Sequence, residues 1–137
     1  MDFNNRKPIY RQIVDYCFTL ILSGEWKPEL RVPSVRELAA TLAVNSHTVL
    51  KAYEFLQDEQ IIFPKRGMGF FLAADAAERV NEARRADFYD TTLMELFKEM
   101  ELLDISIDDI VARYMASHDD DSIKVKIQDR SAKSSSE

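Results

Sequence analysis

Asn45-Ser46-His47-Thr48 places an amide, two hydroxyls and an imidazole in consecutive positions, just ahead of an apolar stripe, Val49, Ala52, Tyr53 and Leu56, at helical spacing. Such side chains do hydrogen-bonding chemistry. Short donors and acceptors on the first turn of a helix lie beside free backbone N–H groups, a combination suited to phosphate and to the edges of bases. Two further groups are of the same kind: Ser34 with Arg36 in "PSVREL", and Lys65 with Arg66 and Gly67 in "PKRGMG". Covalent chemistry finds no comparable support. The two histidines, His47 and His118, are far apart, and there is no Cys/His pairing, glycine-rich phosphate loop or metal-ligand spacing. No enzymatic activity, cofactor or metal is expected; the run Asp119 to Asp121 reads as a solvated acidic stretch.

The elements that must position these groups follow from periodicity. Ile9, Ile13, Cys17, Leu20 and Ile21 form the stripe of a first helix beginning near Pro8 and ending at Ser23-Gly24. Pro28 and Pro33 keep the next stretch extended, and Ser34 with Glu37 predicts a capping box. The short helix that follows buries Val35, Leu38, Ala39 and Leu42 and turns Arg36 outward. After a tight connection at Ala43-Val44, Asn45 is suited to cap a third helix, whose outer face carries Ser46, His47, Leu50, Lys51 and Glu54. Ile61-Ile62-Phe63 and Phe70-Phe71-Leu72 then predict a β-hairpin with a basic tip. Asp75 is expected to cap a longer helical segment with a stripe of Leu93, Leu96, Phe97, Met100 and Leu103. After an interruption near Asp104-Ile105, Ser106 and Asp109 start a last helix bearing Ile107, Ile110, Val111, Tyr114 and Met115.

A chain of 137 residues, 46% of them apolar, holds one core of ordinary size with at most a small appended element. Its formal net charge is −6, unevenly divided. Residues 1–74 carry nine Lys/Arg against eight Asp/Glu, and residues 75–137 nine against sixteen. The acidity belongs to the C-terminal part, so the overall sign does not exclude nucleic acid from the first part. With Cys17 as the only cysteine, no disulfide forms within one chain. The opening "MDFNNRKP" lacks the apolar core of a signal peptide, and no apolar run approaches the ~20 residues of a membrane span. A cytoplasmic location is expected, on the nucleoid when DNA is bound. From His118 on the chain is polar and serine-rich, and residues 118–137 are expected to be a disordered tail.

Two helices joined by a short turn, the second with a polar N-terminus, followed by a hairpin with a basic tip, describe a winged helix-turn-helix. The fold class expected is mainly α with a small β-hairpin, the winged helix being followed by C-terminal helices. Residues 8–73 resemble the N-terminal domain of the gluconate-repressor (GntR) family of bacterial transcription regulators, through "LILSGEWKP", "VPSVRELAATLAV", "TVLKAY" and "RGMGFF". The combination of "PSVREL" with "TVLKAY", and a C-terminal part too short for an effector-binding domain, is similar to the YtrA-like subfamily. The resemblance implies DNA contacts by Ser34 and Arg36, by Asn45, Ser46, His47 and Thr48, and by Arg66 and Gly67 in the wing; Lys51 and Lys65 join them as nearby cations. It also implies two C-terminal dimerisation helices. Leu93, Leu96, Phe97, Met100, Ile107, Ile110, Val111 and Tyr114 are the expected dimer seam.

The organisation expected is therefore a DNA-binding domain over residues 1–74, a two-helix dimerisation region over 75–117, and the tail. The function expected is a sequence-specific regulator, a repressor in the first instance, binding double-stranded DNA at an inverted-repeat operator as a homodimer. No membrane partner and no identified effector are implied. Many family members carry arginine where this chain has Leu50, so a thymine methyl becomes a natural target there. Glu29-Leu30 replaces the common Gly-Asp. The rival is a winged helix serving as a protein-interaction or non-specific architectural module, favoured by Leu50 and by the near-neutral N-terminal part. Ser34 and Asn45 would also be ordinary caps, each worth about 1 kcal/mol without any ligand.

Overall fold

Three helices come first: α1 (Ile9–Leu22), α2 (Val35–Leu42) and α3 (Ser46–Asp58). A hairpin follows, β1 (Ile62–Lys65) and β2 (Gly69–Leu72), and then α4 (Ala76–Asp87), a π-helical turn (Phe88–Thr92), α5 (Leu93–Leu103) and α6 (Ile107–Ser117). The computed structural model describes residues 3–4 and 6–118; most of the expected tail, including Asp119 to Asp121, lies outside the described residues. The fold class is as expected, mainly helical with a two-stranded antiparallel hairpin.

The chain divides into two units, Met1–Tyr89 and Asp90–Glu137. In the first, the stripes of the three helices converge: Ile13, Val14, Cys17 and Ile21 of α1 pack with Leu38, Ala39 and Leu42 of α2 and Val49, Ala52, Tyr53 and Leu56 of α3. Ile61, Ile62 and Leu72 close the core from the hairpin. Burial raises the Cys17 thiol from its ordinary value of 9.0 to about 12, which leaves it a protonated, inert core side chain. Gln12, also buried, satisfies its amide locally: it accepts from the Asn4 N–H at 3.0 Å and donates to the carbonyls of Asn4 and Lys7 at 2.7 and 2.9 Å.

Three local expectations need correction. Glu37 makes only half of the capping box: its N–H donates to Ser34 Oγ at 3.1 Å, but its carboxylate turns to Arg31 at 3.2 Å. Asp75 makes no side-chain cap; its carboxylate accepts instead from Arg79 one turn later, at 2.9 and 3.0 Å. In both places an arginine within reach draws the carboxylate away from the backbone. The long helical segment after Asp75 is also divided by the π-helical turn, whose Phe88, Tyr89, Thr91 and Thr92 are aromatic or β-branched residues of low helix propensity. Ahead of it, α4 is part of the first unit, because Ala76, Val80 and Ala83 are buried in the same core as α1. Arg11 reinforces this, its guanidinium 4.3 Å from the centre of the Phe55 ring on α3 and 3.3 Å from the Asp87 carboxylate on α4.

In the second unit, α5 ends at Asp104, which takes a left-handed conformation (φ 53°), and Ser106 caps α6 by accepting the Asp109 N–H at 3.1 Å. Neither α5 nor α6 contains a buried residue.

Candidate nucleic-acid interface

The α2–α3 junction sets the site. Ala43 adopts a left-handed conformation (φ 55°) that ends α2, and its N–H and that of Val44 return to the carbonyls of Ala40 and Ala39. Asn45 then caps α3, accepting the His47 N–H on Oδ1 at 2.8 Å. Asn45, Ser46 and His47 are exposed, and Thr48 is half-buried. Leu50 is 40% exposed on the outer face. Thus the first turn of α3 is a polar, uncovered end, while its apolar side is wholly inside.

Ser34 and Arg36 occupy the corresponding end of α2. The Ser34 oxygen is used as a cap acceptor, which leaves its hydrogen available to an anion, and Arg36 is exposed. A buried strut fixes this end to α3: the Tyr53 hydroxyl donates to the Pro33 carbonyl at 2.6 Å, one residue before the cap. Tyr53 is itself held edge-on by Trp26 and Phe70, at 6.4 and 5.4 Å between ring centres. Burial first, then the proximity of Cys17 and Glu37, drives its phenol far above the ordinary range, so it stays a donor.

The wing pairs Ile62 with Leu72, Phe63 with Phe71, Pro64 with Phe70 and Lys65 with Gly69. Its turn needs left-handed backbone at Gly67 (φ 74°), and the Met68 N–H closes on the Lys65 carbonyl at 2.9 Å. Arg66 and Met68 are exposed at the tip. The Lys65 ammonium lies over the stacked Phe63 and Phe71 rings, 4.2 Å from the centre of Phe71, and so rides on the wing face rather than at its tip. Lys51 is likewise drawn to the flank of α3, its ammonium 4.3 Å above the Tyr10 ring of α1. Of the cations expected at the surface, Arg36 and Arg66 are exposed, and Lys51 and Lys65 are laid on aromatic faces.

One cation here escapes a reading of the sequence. Arg31 pairs across to Phe71 as an added strand of the wing, flanked by Leu72 N–H to Leu30 carbonyl and Val32 N–H to Phe70 carbonyl bonds of 3.0 and 2.9 Å. Its guanidinium crosses Gly69, where a Cβ would lie 3.1 Å from Nε, and reaches Glu37 on α2. An isolated arginine between two prolines carries no periodic signal; only the strand pairing reveals where it points.

Among the described residues, no group of three His, Cys, Asp or Glu side chains is gathered for a metal, and no helix is long and apolar enough to cross a membrane.

Comparison with known proteins agrees with this geometry. Residues 9–72 match the family described as bacterial regulatory proteins, gntR family. The chain is 39% identical over 84 residues to the HTH-type transcriptional repressor YtrA of Bacillus subtilis strain 168, covering 61% of this chain and 65% of that protein. It is 38% identical over 82 residues to the HTH-type transcriptional regulator YhcF of the same organism, covering 60% and 67%. The chain thus spans about two thirds of the length of these curated relatives. A GntR family transcriptional regulator from Listeria monocytogenes, of known structure, superposes with a TM-score of 0.64 at 35% identity, over 83% of this chain and 98% of that one. The chain belongs to the gntR family of bacterial regulatory proteins, and its winged helix-turn-helix is a DNA-binding domain of that family.

Proposed function

We propose that the chain is a transcriptional repressor that acts as a homodimer, its two winged helices occupying the halves of an inverted-repeat operator. The first turn of α3 enters the major groove, where Asn45, Ser46 and His47 meet base edges and Leu50 meets a thymine methyl. Ser34 and Arg36 at the start of α2, Thr48 beside the α3 cap, and Arg66 with Gly67 at the wing tip hold the flanking backbone. Lys51 and Lys65 add positive potential from the aromatic faces on which they lie.

The observation that carries the dimer is the second unit. α5 and α6 contain no buried residue, yet Phe97, Ile107, Val111 and Tyr114 are 43 to 57% exposed, with Leu93, Leu96, Met100 and Ile110 along the same helices. Two short helices with apolar faces in water need a partner, and a second copy supplies a self-complementary one. Two-fold symmetry in the protein then requires two-fold symmetry in the DNA.

Selection of bound duplexes from a random pool at physiological salt tests both halves of this reading. A palindromic consensus with two half-sites, bound by a species that sediments as a dimer, is the expected result. Retention of DNA without any consensus, falling steeply with salt, would support a non-specific architectural module instead.

A further inference from the structure

We propose that Arg31 is a further DNA-backbone contact, a cation stationed between α2 and the wing whose Glu37 partner gives way to a phosphate when DNA binds. The inference rests on the DNA-binding reading above. The Arg31 guanidinium spans the gap between Gly69, two residues from the wing turn, and Glu37 in the first turn of α2, beside Arg36. Those are the two elements assigned to backbone contact. Arg31 thus stands between them on a strand that both are tied to, through the bridge to Phe71 and through the chain leading to Ser34.

The state of the pair favours exchange. Arg31 and Glu37 touch through a single 3.2 Å bond, and their side chains are 52% and 59% exposed. A solvated, monodentate pair of this kind holds its partners weakly. The remaining N–H groups of the Arg31 fork have no hydrogen-bond partner among the described residues. A guanidinium with unused donors in a planar fork is suited to bridge a carboxylate and a phosphate, or to leave the first for the second. Glycine at 69 leaves room for it against the strand: a Cβ there would sit 3.1 Å from Nε, and the guanidinium would shift by a few tenths of an ångström. Without Arg31, Glu37 would present an uncompensated negative charge to an incoming phosphate.

Two roles are separable: direct contact with phosphate, and mere neutralisation of Glu37. A double-variant cycle on the full chain, read by fluorescence anisotropy on the duplex selected by the wild type, distinguishes them. Arg31→Ala should weaken binding about tenfold and lower the salt slope of log K by about one. Glu37→Gln should tighten binding by roughly threefold, since its cap bond uses backbone N–H and survives the change. The double variant should remain weaker than wild type. If it returns to wild-type affinity, Arg31 only neutralises Glu37 and the proposal is wrong; an unchanged salt slope in Arg31→Ala overturns it equally. Arg31→Lys, which keeps the charge but not the fork, should recover part of the affinity and most of the slope. Arg36→Ala run alongside identifies the other failure: if neither arginine affects affinity for the selected duplex, the DNA-binding surface itself is misassigned. Thermal midpoints within a degree or so of wild type, expected for an exposed pair, certify that folding is intact.

Discussion

Tyr53→Phe removes one oxygen from the centre of the first unit and leaves the rest of the ring in place. That ring packs edge-on against Trp26 and Phe70, contacts that phenylalanine keeps. What is lost is the 2.6 Å bond to the Pro33 carbonyl. A net hydrogen bond is worth about 0.5–1.5 kcal/mol, and an acceptor left without a partner costs about 1–3 kcal/mol when water is excluded. Pro33 is half-buried, so water reaches its carbonyl in part, and a loss of about 1–2 kcal/mol is expected. For a domain of this size that lowers the thermal midpoint by roughly 4–16 °C. Because Pro33 leads directly into the Ser34 cap, DNA affinity should fall as well, by more than the unfolded fraction accounts for. Far-ultraviolet circular dichroism on heating and anisotropy titration below the midpoint measure the two effects. A midpoint within about 1 °C of wild type would refute the strut, since even the low end of the hydrogen-bond range exceeds that shift.

The Cys17 thiol is raised from 9.0 to about 12 in the folded state, so its contribution is fully present below pH 9 and is lost as pH rises from 9 toward 12. Urea unfolding across that window should show stability falling by up to about 1.4 kcal/mol per pH unit, with a visibly shallower loss in Cys17→Ala just above pH 9. Glu29 holds left-handed backbone (φ 67°), where its Cβ crowds the following carbonyl, and Glu29→Gly should raise stability by about 0.5–1 kcal/mol; a lower unfolding midpoint would count against strain at that turn. Phe97 is 43% exposed on α5, and Phe97→Glu should convert a dimer into a monomer in sedimentation at micromolar concentration while helix content persists; an unaltered dimer would move the seam elsewhere.

Much of the first unit is legible in the linear chain because its determinants are local. The stripes of α1 and α3, the caps Ser34 and Asn45, and the glycines at 67 and 69 each act within a few residues, so spacing alone announces the helices and the hairpin. The polar end of α3 is equally plain, since a cap and an apolar stripe together say which turn stays outside. The resemblance carried by "PSVREL", "TVLKAY" and "RGMGFF" extended this to a family. The carboxylates were less legible: Glu37 and Asp75 occupy positions where a backbone cap is natural, but arginines brought near by the fold compete for them. Likewise α4 carries too weak a stripe to announce that Val80 and Ala83 belong to the core of α1.

The helices of the first unit, the Ser34 and Asn45 caps, the basic hairpin and the outward end of α3 follow from the linear chain, because each depends on interactions within one turn or one hairpin. The places of the long cationic side chains, by contrast, are set by the packing of one element against another. Lys51 settles over Tyr10, Lys65 over Phe71, Arg11 between Phe55 and Asp87, and Arg31 between Gly69 and Glu37. Flexible cations take whatever ring or carboxylate lies within reach, and the partner in each case is supplied by a different element of the fold.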